Sequence, residues 1–200
     1  MGTELGQQLH ARERPDTMKY FALVLTVFVT APPAFAQTAP SVPLAPLHDG
    51  IHDFDFAVGA FHTHIRRVPD PFAEPAKWVI YDGIKTTRKI LDGNGDVETI
   101  EADGPNHLQV LNLFFYDKTT HQWNLYFPKS GALGAPTVGE FHDGVGTFME
   151  QDSYKGRTML VRQQWSPTGP DSYHFEQSFS PDFGKTWASN FIADLTRLKS

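Results

Sequence analysis

The sequence predicts an all-β fold, a single antiparallel up-and-down barrel of about eight to ten strands with a short N-terminal helical turn. Three observations lead there. From residue 60 onward apolar and polar residues alternate in short runs, as strands with one buried face require. Turn-forming residues interrupt these runs about every 8 to 14 positions. No stretch keeps a helical period long enough for a crossover helix, so successive strands pair as antiparallel neighbours.

The alternation places strands at 60–68, 77–90, 96–102, 107–116, 122–128, 136–142, 145–152, 157–165, 172–179 and 187–197. Asp92-Gly93-Asn94-Gly95 and Asp143-Gly144 supply residues that tolerate positive φ, which tight hairpins demand. Closure into a barrel removes the exposed edges that a flat sheet of this many strands would leave, and a sandwich is the alternative. Ahead of the first strand, Ile51, Phe54 and Val58 recur at three- and four-residue spacing, which predicts one helical turn plugging an end.

The N-terminal region reads as an export signal. Lys19 precedes the apolar run Tyr20 to Thr30, and Ala34-Phe35-Ala36 provides the small-x-small pattern for cleavage before Gln37. The run is too short for a permanent span, which needs about 20 apolar residues in a helix. Residues 1–36 are therefore expected to be a signal peptide, with Met18 an alternative start that would put 1–17 upstream of it. Residues 37–50 form a Pro/Ala-rich lead-in, and 51–200 form one domain. The expected location is periplasmic or secreted, with no membrane span after processing.

The chain has no cysteine, which excludes disulfides, thiolate metal sites and a cysteine nucleophile. Net charge is -6, and the charges within 1–36 balance, so the mature domain keeps that value. Acidity without a basic run argues against nucleic acid as a partner.

No complete catalytic constellation is legible. Ser180-Pro-Asp182-Phe-Gly184-Lys-Thr186-Trp187 matches the S-x-D-x-G-x-T-W pattern of the Asp-box. A propeller repeats that motif blade by blade, and one copy reads as a hairpin staple. His62 and His64 share a strand face but lack an identifiable third ligand, so no metal site is assigned, and no cofactor is implied. Asp49, Asp53 and Asp55 are more simply explained by capping the short turn than by acid/base work. An enzyme acting at the barrel mouth would need two or three of Asp53, Asp55, His62, His64 and Glu176 in one pocket.

Aromatic residues make up 13% of the chain and fall on alternating positions: Trp123, Leu125 and Phe127; Tyr173, Phe175 and Phe179; Trp187 and Phe191. They can fill a solid core or line a cavity for one small ligand. If Phe61 points inward, Thr63, Ile65 and Arg67 follow it. An inward Arg67 would pair with Glu176 or Asp194, or meet an anionic ligand. Arg67, Trp123, Tyr126, Trp165 and Phe175 are the ligand-binding candidates, for a small apolar or weakly anionic molecule; an enzyme acting on a small molecule or sugar at the barrel mouth and an envelope-associated interaction module are the alternatives.

The segment Asp53 to Phe61, the run Trp78 to Gly93, Trp123-Asn-Leu-Tyr126, and Trp165 with Phe175-Glu-Gln177 through Trp187 and Asn190 resemble a bacterial family of exported proteins, a domain of unknown function with a lipocalin-like (calycin) barrel. The resemblance spans nearly the whole mature chain and implies the barrel, without catalytic residues. Lipocalins open their first strand with G-x-W, and Gly59-Ala60-Phe61 stands in that place with phenylalanine for tryptophan. The aromatic plug is kept, while the hydrogen bond from an indole N–H is lost.

Overall fold

A computed structural model describes residues 48–128 and 131–199. The predicted signal peptide and most of the predicted lead-in lie outside the described residues. Ten strands follow one another: β1 (Gly59–Arg67), β2 (Val79–Ile90), β3 (Gly95–Asp103), β4 (Leu108–Asp117), β5 (Gln122–Tyr126), β6 (Thr137–His142), β7 (Val145–Tyr154), β8 (Arg157–Gly169), β9 (Ser172–Ser180) and β10 (Ala188–Arg197). Each pairs antiparallel with its sequence neighbours, and β10 returns to β1, closing the barrel. The predicted strands all form, with ends shifted by a few residues.

Turn chemistry explains the meander. Asp143 and Gly144 both have positive φ, 51° and 78°, the backbone that a two-residue hairpin between twisted strands needs. Between β9 and β10 the hairpin is held by side chains. Asp182 Oδ1 accepts from the Thr186 N–H and the Ser180 hydroxyl, both at 2.8 Å, and Ser180 Oγ accepts from the Gly184 N–H at 2.7 Å. Trp187, expected on the inner face of a strand, precedes β10 and stacks on the outer face instead, under the Arg162 guanidinium at 4.4 Å.

One end of the barrel is closed by the chain before β1. A turn leads into a 3-10 segment, Asp55–Ala57, which lowers Phe54 into the barrel at 1% exposure. Its ring packs edge-on against Trp123 (5.1 Å), Phe141 (4.9 Å) and Trp165 (5.5 Å) and stacks on Phe114 (5.1 Å), favourable geometries for aromatic pairs. Asp49 accepts the Ile51 N–H at 3.4 Å, but Asp53 and Asp55 do not cap the turn as expected. They pair with histidines: Asp53 with His48 and Asp55 with His52, each at 2.9 Å, while Asp55 also meets Lys89 at 2.7 Å.

The Phe61 end keeps an arginine closure without an indole. Arg197, from the last strand, lies over the Phe61 ring at 4.5 Å and donates to the Val58 and Phe56 carbonyls at 2.7 and 2.8 Å. A cation over a ring face and two backbone acceptors replace what a tryptophan would supply.

Candidate functional site

The interior is divided. Around Phe54 it is packed solid with aromatic rings; toward the opposite end it opens into a cavity of about 360 Å³. That volume falls at the small end of ligand pockets, roughly 300–1,000 Å³. Inward positions of β8, β9 and β10 and the residue after β5 build much of its wall: Trp165 and Phe175 have ring centroids 4.6 Å apart, Phe175 and Phe191 5.8 Å apart, and Phe127 faces the same space.

The deep end is polar. Lys85 is fully buried, and its Nζ donates to the Ala57 carbonyl and lies 3.5 Å from Glu98 Oε2. It also sits over the Phe61 ring at 4.7 Å and the Tyr173 ring at 5.2 Å. Burial pulls the Lys85 pKa below the usual lysine range, and the Glu98 carboxylate opposes that shift. Glu98 in turn accepts from Asn112 Nδ2 at 2.9 Å and from the Thr87 hydroxyl at 3.3 Å. An amide chain also crosses the wall: Gln163 Nε2 donates to Gln177 (3.1 Å), and Gln177 Nε2 to Asn190 (3.0 Å).

The sequence-predicted residues divide between this cavity and other places. Arg67, Trp165 and Phe175 line the cavity. Arg67 has the inward parity expected from Phe61 and stands at the rim of the mouth. It pairs with neither expected carboxylate, because both project from the outer face. Glu176 accepts from the Ser178 and Ser189 hydroxyls at 2.7 and 2.6 Å, and Asp194 contacts His174 at 2.7 Å and Arg66 at 3.5 Å. Trp123 points inward but belongs to the packed half, where its indole N–H donates to the Gly50 carbonyl at 2.9 Å. Tyr126 lies on the outer wall against Phe115, ring centroids 5.9 Å apart. Inward Trp123 and Leu125 fix the parity of β5, so Phe127 faces the interior in place of Tyr126.

Carboxylates and histidines do not converge. His62 and His64 lie on the outer face, 3.9 and 2.8 Å from Asp82, Glu176 is on the outer face of β9, and Asp53 and Asp55 are at the closed end. No group of three or more metal-ligating side chains clusters among the described residues.

Sequence reasoning missed Lys85, Glu98, Asn112 and Gln163. The available signal was parity. Lys85 pairs with Phe61 across β1 and β2, and Glu98 and Asp96 share one face of β3. The isoleucines of β2 masked it, since Ile80 and Ile84 point to solvent.

No protein-family model and no curated protein matches the chain. Among solved structures, the S-type phycobiliprotein lyase of Guillardia theta is similar over 78% of this chain and 99% of that one, at 13% identity and a TM-score of 0.52. A redesigned β-barrel aligns over 78% of this chain and 100% of its own length, but its TM-score of 0.35 at 10% identity is too loose a likeness to bear on the fold. The closed ten-strand topology and the likeness to the lyase together make this chain an all-β, lipocalin-like antiparallel barrel.

Proposed function

We propose that this chain is an exported member of the bacterial family it resembles and that it holds a small, partly apolar ligand inside the barrel, entered from the open end. The observation that carries the reading is the asymmetry of the interior. One half is sealed by Phe54 and its aromatic neighbours, and the other leaves a cavity of about 360 Å³ walled by Trp165, Phe175, Phe127 and Phe191. Convergent apolar walls with a few placed polar groups are what a small-molecule site requires. Arg67 at the rim gives the ligand's outer end a cationic contact. The likeness to a phycobiliprotein lyase supports the barrel and brings no ligand with it.

An apolar fluorescent probe should bind the purified protein saturably and be displaced by competing apolar compounds. Phe175→Ala should weaken that binding about five-fold or more, while Tyr126→Ala on the outer wall leaves it unchanged. Absence of a saturable signal would sink the reading. Export is tested separately: cell fractionation should recover the protein outside the cytoplasm with Gln37 as its first residue, and an intact N-terminus in the cytoplasm would count against it.

A further inference from the structure

Three side-chain oxygens around the deep end of the cavity are shielded from solvent and make no hydrogen bond: Thr63 Oγ1, Asn112 Oδ1 and Gln163 Oε1. The residues that carry them are 0%, 6% and 2% exposed, and they come from three separate strands, β1, β4 and β8. Buried polar atoms without partners are rare in folded proteins, and several around one cavity point to a group that the cavity receives.

The polarity of that group can be read from the neighbours. Glu98 accepts from both the Thr87 hydroxyl and the Asn112 amide, so it fixes the orientation of Asn112: the N–H faces the carboxylate and the oxygen is left over. Gln163 spends an N–H on Gln177, again leaving its oxygen. Lys85, the buried cation of the cavity lining, is already engaged by the Ala57 carbonyl, by Glu98 and by the faces of Phe61 and Tyr173. The deep end therefore offers two acceptors whose oxygens have no partner, with the Thr63 hydroxyl able to play either role, beside a cation that is already paired.

Resting on the interior-ligand reading above, we infer that the ligand enters with a neutral hydrogen-bond donor leading, a hydroxyl on an apolar body, and that Asn112, Gln163 and Thr63 receive it. A carboxylate leading end would meet the lone pairs of Asn112 and Gln163 beside the negative charge of Glu98. An ether would fill the same space and leave the acceptors unpaired. This is the kind of discrimination that buried polar groups enforce most strongly.

The test is displacement of the apolar probe by decanol and by its isomer methyl nonyl ether. Decanol should compete about ten-fold better than the ether, the scale of one or two buried hydrogen bonds. In Asn112→Leu, and independently in the near-isosteric Thr63→Val, decanol should lose most of its advantage while the ether competes as before. Two variants guard against Asn112→Leu unsettling Glu98 and the fold. Equal competition by alcohol and ether in the native protein, or an alcohol preference undiminished in both variants, would overturn the inference and leave the interior-ligand reading standing. A probe that never binds would overturn both.

Discussion

Asp182 shows how much a single exposed carboxylate can organise. Its pKa is lowered from 3.8 to about 2, chiefly because the Thr186 backbone N–H and hydroxyl donate to it, with the Ser180 hydroxyl adding to the effect. A folded-state pKa below the unfolded value means that ionisation favours the folded hairpin. The stabilisation is complete above about pH 4 and is lost as pH falls toward about 2. Asp182→Ala should accordingly lower the melting temperature at neutral pH, with the gap from the native protein closing across that acid window. A gap independent of pH would assign the effect to packing. Lys85 is the opposite case, a fully buried charge whose value lies in its partner. Lys85→Met strands the Glu98 carboxylate in the interior and should cost about 3–5 kcal/mol in urea denaturation. Adding Glu98→Gln should recover part of that loss, because the uncompensated charge is removed with it. No recovery would show that Lys85 acts through its contacts with Phe61 and Tyr173 instead.

Among the elements, the N-terminal plug is the shortest and the most consequential. Phe54 is the hub of the aromatic cluster, in ring contact with Phe114, Trp123, Phe141, Phe148 and Trp165. Phe54→Ala should cost about 3–5 kcal/mol, read as an earlier denaturation midpoint with an unchanged slope. The plug was legible from the spacing of Ile51, Phe54 and Val58, and the strands from their alternation and turns. The faces were legible only where apolar residues gather on one parity. In β1, Phe61 and Ile65 are both fully buried and carry Thr63 and Arg67 inward with them. β2 reverses the pattern, with Ile80 and Ile84 exposed at 52% and 42% and Lys85 fully buried. Parity there is imposed by pairing with β1, a long-range constraint that composition does not report. Tyr126 fails for a simpler reason: the alternation through Trp123, Leu125 and Phe127 already excludes it from the interior.

At the scale of the molecule, the barrel combines a solid half that holds the fold with a hollow half that leaves it incomplete. With no cysteine, the fold relies on the packed half and on closure of the ladder between β1 and β10. Open apolar walls forgo contacts that a filled core would make, so an occupant of the cavity should add stability to the whole. Because the walls come from strands distributed around the ring, a molecule bound there binds the folded chain and has no counterpart site on the unfolded one. At a free probe concentration near 100 times its dissociation constant, mass action should raise stability by about 2.7 kcal/mol. For a domain of about 150 residues that corresponds to a rise in melting temperature of roughly 5–10 °C. The rise should grow with the logarithm of probe concentration and shrink in Phe175→Ala. Saturable binding with no thermal shift would mean that the probe binds the folded and unfolded chains equally and so does not occupy the cavity.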